Sequence, residues 1–188
     1  MKLKESGIIE IYTNDKASFS VGRVYCQSDD YVVFEDIDKQ GIITGYCMIR
    51  KDIISQTEDH TEYLDKLGKY MEYWEEHPYS AAFSLKHIAL ETEKSLILQV
   101  LQHAKDNDII VTIEMDSMEE PEAGYVKEIK QEEIVFSCID ISNTQIYDEL
   151  SVEIFDINFI EFESIDNLLL KYAHGLLANK RCKEEQIS

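Results

Sequence analysis

Carboxylates are the side chains of this chain that are best suited to metal binding or acid–base catalysis. The sequence holds 38 Asp and Glu against 18 Lys and Arg, a net charge of −20. Close acidic groups occur at Asp29-Asp30, Asp36 with Asp38, Glu114 with Asp116, and Glu119-Glu120. Hard cations need several converging oxygens, and acid–base catalysis needs carboxyl groups with shifted pKa values. None of the groups has the spacing of a known metal-binding loop. We therefore predict a solvated acidic face, with no metal and no cofactor.

Cysteine and histidine are the other residues that could act as nucleophiles or metal ligands. The cysteines stand at positions 26, 47, 138 and 182, without a Cys-x-x-Cys pair or a histidine at ligand spacing. The first three lie in apolar runs, where a free thiol behaves as a small hydrophobic residue. The chain has neither a Gly-rich phosphate loop nor a Gly-x-Ser-x-Gly element. Because function resides in sites and no catalytic site is visible, we predict that the protein is not an enzyme.

The charge also restricts the class of partner. An acidic surface repels phosphate backbones and anionic membranes, and residues 91–188 carry 22 of the acidic groups against 8 basic ones. This balance favours a protein partner over nucleic acid or membrane. The more specific prediction is a basic protein partner. The amino-terminal residues are not followed by the apolar region of a signal peptide, and no stretch approaches 18 apolar residues. We therefore predict a reduced, cytoplasmic protein.

A duplicated block sets the predicted architecture. Residues 22–38 align with residues 124–140 at a constant offset of 102, with Gly22 over Gly124. Beyond the block the alignment needs a small insertion and then returns to the same offset at Leu67 over Leu169. A repeat of this length predicts two related halves. We assign residues 1–82 to a first β-barrel plus helix, and residues 83–188 to a linking helix, a second β-barrel and a C-terminal helix.

Each half has the pattern of five short strands. In the first half they cover residues 8–12, 18–27, 31–37, 42–49 and 52–55, and in the second half residues 109–115, 123–130, 133–141, 146–155 and 157–162. Helical periodicity begins near residues 59 and 164, and a longer helix is predicted over residues 84–105. Five short antiparallel strands, one of them bent at a glycine, favour a small closed barrel over an open sheet.

The second half then resembles the Sm/LSm-like small β-barrel. The resemblance is carried by Ile-Ile-Val-Thr-Ile-Glu-Met-Asp at residues 109–116, by Gly124-Tyr-Val and by Glu133-Ile-Val-Phe, with a helix in front. It implies an α+β fold of two tandem five-stranded antiparallel barrels, each followed by a helix, with a longer helix between them. An SH3-like or Tudor-like barrel has nearly the same pattern.

The resemblance also implies a nucleic-acid surface in two loops. In this chain the loop after the second strand holds Asp30 and Tyr31, and the loop between the last two strands holds Arg50 and Lys51. The asparagine that the family places in the first loop is missing, and the second half has Ile-Phe-Asp at residues 154–156 in place of the cations. An Sm-like RNA-binding regulator is therefore the alternative function.

The preferred function is binding of, or assembly with, a protein partner. The candidate partner-binding residues are an aromatic set and an acidic turn: Tyr73, Trp74, Tyr79, Phe83, Glu119, Glu120 and Glu122. Aromatic side chains are enriched at interface hot spots, and the helical spacing of the first members also fits packing of a helix onto the first barrel. Exposed barrel edges provide a route to homo-oligomers by strand addition.

Overall fold

The structure is a computed structural model of the chain, and it describes residues 2–4, 6–14, 19–77, 85 and 87–185, with side chains described to residue 178 in the last helix. The chain divides into two compact units, Met1–Gln99 and Val100–Ser188. No helix within the described residues is both long enough and apolar enough to cross a membrane.

The first unit is built on five antiparallel strands, in the order β5-β1-β2-β3-β4. They are β1 (Ile9–Thr13), β2 (Phe19–Gln27), β3 (Tyr31–Ile37), β4 (Ile43–Arg50) and β5 (Ile54–Glu58), with a 3-10 turn at Lys51–Ile53. Helix α1 (Glu62–Glu76) follows. It begins at Thr61, whose Oγ1 accepts a hydrogen bond from the backbone N–H of Leu64 at 3.1 Å, a standard N-cap. Leu64 and Leu67 then pack on Val21 and Ile37 to form the core beneath the helix.

The second unit has the same plan, in the order β10-β6-β7-β8-β9. Its strands are β6 (Ile110–Met115), β7 (Glu122–Ile129), β8 (Glu133–Ile139), β9 (Ile146–Glu153) and β10 (Ile157–Phe162), with a 3-10 turn at Ile154–Asp156. Helix α2 (Leu96–Asp106) leads into the unit, and helix α3 (Ile165–Glu185) ends it. Ile110, Ala123, Tyr125 and Ile139 form a core cluster against which Leu170 of α3 packs.

The prediction of two closed barrels is wrong. The strands lie in open antiparallel order, and in the part of the chain that is described no pairing joins β5 to β4 or β10 to β9. Bulges do bend the second strand of each unit, between Val24 and Cys26 and between Val126 and Glu128. Closure needs hydrogen bonds between the first and last strands of the sheet. Short strands, tight turns and a bending glycine occur in open and closed sheets alike, so the local pattern did not decide between them.

The predicted long helix over residues 84–105 is also wrong. Helix α2 has 11 residues, against 15 in α1 and 21 in α3. The segment before it is held by specific contacts instead. The Tyr25 hydroxyl donates to the carbonyl of Ile88 at 2.6 Å, and the Gln99 side chain makes two 2.9 Å hydrogen bonds with the backbone of Glu91. These tertiary contacts overrode the helical periodicity.

The register of the two units confirms where the repeat is strict and where it shifts. Ile9 pairs with Gly22, and Val111 pairs with Gly124, which keeps the offset of 102. The offset becomes 103 at the helices, because Ser164 caps α3 as Thr61 caps α1, with the Ser164 Oγ accepting from the backbone N–H of Asn167 at 3.2 Å. The structure therefore matches Leu67 with Leu170 and not with Leu169.

Candidate functional site

The two loops of the first unit that the family resemblance singles out lie side by side. Tyr31 pairs with Arg50 across β3 and β4, and the backbone N–H of Lys51 donates to the carbonyl of Asp30 at 2.7 Å. The structure thus brings the four predicted residues together. Tyr31 itself is buried, and this burial raises the pKa of its hydroxyl. Its ring is therefore part of the core and is not offered to solvent for base stacking.

A polar cleft of about 500 Å³ opens beside this turn, lined by Lys2, Gln27, Ser28, Asp29, Lys51 and Thr92. Nζ of Lys51 donates to Oε1 of Gln27 at 3.0 Å and to the carbonyl of Ser28 at 2.6 Å. Gln27 is fixed in turn by two hydrogen bonds with the backbone of Leu3. Burial lowers the pKa of Lys51. Because protein carbonyls hold this amine and the Asp29 carboxylate shares the wall, the cleft has mixed charge and is not a cationic groove.

The corresponding turn of the second unit has the same backbone hydrogen bonds but no cation at the positions of Arg50 and Lys51. The N–H of Lys130 donates to the carbonyl of Glu133 at 2.7 Å, and the N–H of Ile154 donates to the carbonyl of Glu132 at 2.8 Å. The 3-10 turn that follows contains the exposed Phe155 and Asp156. Glu132, Glu133 and Asp156 outnumber Lys130 at this turn, so a phosphate would meet mainly like charge.

An acidic strand edge is the most distinctive surface of the second unit. Within the described residues β9 pairs with β8 alone, and six of its eight residues are exposed. Alternate residues of a strand share a face, so Glu149, Ser151 and Glu153 lie on one side, whereas Tyr147 stands at a register shift between β8 and β9. Glu133 stands opposite Glu153, and the Tyr147 hydroxyl reaches Glu122. We call Glu122, Glu133, Tyr147, Glu149 and Glu153 the acidic edge.

The carboxylates of the acidic edge are crowded, and no cation among the described residues pairs with them. Glu133 and Glu153 face each other directly on neighbouring strands, an arrangement of like charges that destabilises a sheet. Hydroxyl groups contact two of the carboxylates. Ser151 donates to Glu133 at 2.9 Å, and Tyr147 donates to Glu122 at 2.6 Å. The hydrogen bond to Glu122 raises the pKa of Tyr147. No lysine or arginine in the described part of the chain forms an ion pair with these carboxylates.

The predicted aromatic set is only partly described. Tyr79 and Phe83 lie outside the described residues. Trp74 donates from Nε1 to the carbonyl of Gln40 at 2.9 Å, which ties α1 to the β3–β4 loop. Tyr73 is exposed and stacks on His77 with ring centroids 4.3 Å apart. Trp74 therefore has a structural contact, and Tyr73 is the member that remains open to solvent.

The predicted acidic turn lies between β6 and β7. Glu119 and Glu120 are exposed there, and Glu122 begins β7, where it joins the acidic edge. Sequence reasoning missed the β9 residues themselves. Their signal was present as the alternation of Glu, Ser and Glu at positions 149, 151 and 153. That alternation identifies a face, but not that the strand lies at an edge.

The thiols of Cys26 and Cys138 do not have the character of nucleophiles. Burial raises the pKa of Cys26 and of Cys138 to about 11, so both are protonated at neutral pH. The thiolate is the reactive form of cysteine. Among the described residues there is also no group of three or more His, Cys, Asp or Glu placed to hold a metal ion.

The raised pKa values of these thiols predict a loss of folding stability at alkaline pH. The pKa of Cys138 is about 11 in the folded protein against a usual value of 9.0, so the folded state keeps protons that the unfolded state releases. The stabilising contribution is complete below pH 9 and is lost as the pH rises to about 11. We expect a loss on the order of 1 kcal/mol from Cys138. Urea unfolding at about pH 8 and about pH 10.5 measures it.

The control is Cys138→Val, which retains the apolar volume and removes the titrating group. Cys26 and the tyrosines that do not contact Cys138 ionise in both proteins, so the alkaline loss should be smaller in the variant. An equal loss in both proteins would contradict the assignment to Cys138.

Comparison of the chain with protein-family models, with curated proteins and with solved structures found no match in any of the three.

Proposed function

We propose that the protein acts by binding rather than by catalysis, and that it binds a basic protein partner on the acidic edge of the second unit. The observation that carries the proposal is β9, a strand with one neighbour, an exposed surface and carboxylates without cations in the described part of the chain. An unpaired strand edge presents N–H and C=O groups to an extended segment. Carboxylates beside it select basic side chains and accelerate their association.

The spacing of the acidic edge defines the segment that it would accept. Glu149 and Glu153 lie four residues apart on one face of β9, so a strand added beside them presents side chains to this face at every second residue. A segment that alternates basic and apolar residues therefore places its cations next to both carboxylates. It would also relieve the repulsion between Glu133 and Glu153.

A synthetic peptide that alternates lysine and valine is the probe for this mode of binding. We expect salt-sensitive binding, weakened at least about tenfold when Glu149→Lys and Glu153→Lys are combined, since the charges that attract the peptide then repel it. Calorimetry at low ionic strength measures the affinity. Unchanged affinity in this double variant would overturn the proposal.

The matched control is the combination of Glu75→Lys and Glu76→Lys on α1. Both residues are exposed and belong to the first unit, and the change in net charge is the same. The control should bind the peptide nearly as well as the original protein. Equal losses in the two double variants would show attraction by net charge alone and would count against a site on β9.

A second candidate function is the RNA-binding regulator that the Sm-like resemblance implies. Its support is the first-unit turn, where Asp30, Tyr31, Arg50 and Lys51 lie together. Filter binding with poly-A and poly-U at low salt separates the two candidates. Tight, salt-sensitive binding that falls with Lys51→Ala would favour this function over a protein partner.

Several predictions from the sequence remain predictions. They are the roles of Tyr73, Trp74, Glu119 and Glu120 in partner binding, a cytoplasmic location, and homo-oligomers formed through sheet edges. Because β9 is acidic and β5 contains Glu58, the charges of these two edges favour a basic partner over a second copy at β9.

A further inference from the structure

Helix α3 exposes an apolar stripe on its outer face. Five large apolar side chains within ten residues are exposed: Leu168 at 56%, Leu169 at 59%, Tyr172 at 68%, Leu176 at 55% and Leu177 at 42%. We call these five residues the α3 stripe. Leu168, Tyr172 and Leu176 follow one another at intervals of four, so they lie along one side of the helix. An amphipathic helix ordinarily turns its apolar side towards a core, whereas this one presents it to solvent.

The opposite side of α3 attaches the helix to its own unit. Asn167 is buried and accepts a hydrogen bond from Thr112 Oγ1 at 3.0 Å, and Leu170 packs on the core cluster. Nδ1 of His174 lies 2.7 Å from the carbonyl oxygen of Thr144. The helix therefore packs on its own unit through its other face, and this packing leaves the α3 stripe exposed.

The duplicated helix of the first unit provides an internal comparison. At the offset of 103 given by the two N-caps, Leu168, Leu169 and Tyr172 correspond to Asp65, Lys66 and Lys69 of α1. All three α1 residues are exposed, and Lys69 pairs with Glu72 at 2.8 Å. These positions are thus polar and solvated in α1 and apolar in α3, whereas Leu176 corresponds to the exposed Tyr73. The plan of the unit does not require leucines at residues 168 and 169, and an exposed apolar patch of this kind marks an interaction site.

We infer that a second copy of this chain covers the α3 stripe, through antiparallel pairing of the two α3 helices about a two-fold axis at Tyr172. Leu168 and Leu176 stand four residues before and four residues after Tyr172. Antiparallel pairing centred on Tyr172 therefore places Leu168 of one copy against Leu176 of the other, twice. An interface that uses one patch on both copies must be self-complementary in this way.

Charge supports the choice of a second copy. The chain carries −20, so two copies repel each other over most of their surfaces. The described side chains of α3, residues 165–178, include one acidic and one basic residue, a net charge of zero. Two copies can therefore approach along this part of α3 without net repulsion between the helices. A basic partner of the kind proposed for the acidic edge is not attracted by charge to this helix. The inference therefore does not depend on the proposed function.

The concentration dependence of the mass in light scattering tests the inference. The stripe is about 14 Å long at 1.5 Å per residue, which is short for an interface, so we expect a dissociation constant on the order of micromolar. The mass should rise from 21.9 kDa towards twice that value with concentration, and rise further with salt, which screens the repulsion. A mass of one chain at every concentration would overturn the inference.

The Leu169→Lys variant tests whether association depends on the α3 stripe and not on another surface. It lowers the negative charge of the chain, which by itself favours association, yet it should restore the mass of one chain by placing cations in the interface. The control is Ile141→Lys, the same kind of change at a residue that is 74% exposed and lies outside α3. Circular dichroism checks that both variants fold. Association that survives Leu169→Lys, or that is lost equally with Ile141→Lys, would overturn the inference.

The two-fold axis is tested by disulfide formation in a Cys182→Ser background. Tyr172→Cys places two thiols next to each other across the axis, so oxidation should yield a covalent dimer. Tyr73→Cys places a thiol on the exposed face of α1 and should remain a single chain. A dimer that forms in solution while Tyr172→Cys fails to cross-link would reject antiparallel pairing centred at that residue.

Discussion

Replacing Gly124 with alanine is expected to destabilise the protein by about 3 kcal/mol, because the added methyl group has no space. A Cβ at this position would overlap the carbonyl oxygen of Ser137 and lie 2.9 Å from Cε1 of Phe136. The oxygen belongs to the backbone of β8, and Phe136 is fully buried. Neither group can move without shifting β8 from its place beside β7. Urea unfolding measures the change.

Gly68→Ala is the control for this prediction. Gly68 lies in α1, and a Cβ there would meet no atom within 4 Å. Alanine favours helix over glycine by about 1 kcal/mol, so we expect this variant to be more stable than the original protein. Opposite signs for two Gly→Ala changes would assign the loss at Gly124 to close strand approach. A Gly124→Ala variant within about 0.5 kcal/mol of the original protein would contradict the packing described for β7 and β8.

Leu67→Ala is expected to cost about 3 kcal/mol, through lost burial and the cavity left behind. Leu67 is fully buried and packs with Val21, Ile37 and Leu64 beneath α1. Leu169→Ala, at the position that an offset of 102 pairs with Leu67, should change stability by less than about 0.5 kcal/mol because the side chain is exposed. Both are compared by urea unfolding at a concentration where the chain is a monomer.

The comparison of these two leucines tests the register of the repeat. Equal losses would support the offset of 102 and contradict the match of Leu67 with Leu170. It also separates the α3 stripe from the core, since a stripe residue should affect association and leave the stability of the monomer nearly unchanged.

The strand pattern was largely predictable because it is a local property. β3 was predicted at the residues that it occupies, and the predicted strand over residues 146–155 contains β9 and the start of the turn after it. Alternating side chains and turn residues encode such elements directly. The prediction for the segment before α2 failed because its conformation is not a local property. Its helical periodicity was real, and the hydrogen bonds from Tyr25 and Gln99 hold it in another conformation.

The sequence predicted which residue types form the candidate site, but not where the structure places them. The excess of carboxylates in residues 91–188 identified an acidic surface, and Glu122 was among the predicted partner-binding residues. That Glu133 faces Glu153, and that Tyr147 reaches Glu122, depends on how three strands pair. Exposure of the leucines of α3 likewise depends on which side of the helix meets the core. A helix with two apolar sides does not reveal from its spacing which of them will be buried.

By itself the sequence determined the duplicated order of strands and helices and the sign of the surface charge, because backbone periodicity and formal charge are written residue by residue. Only the tertiary structure decided that the strands lie in open order, that β9 has a single neighbour among the described strands and that the α3 stripe is exposed. Each of these is set by hydrogen bonds and packing between segments that are distant along the chain. A local pattern contains no information on which distant partner is present.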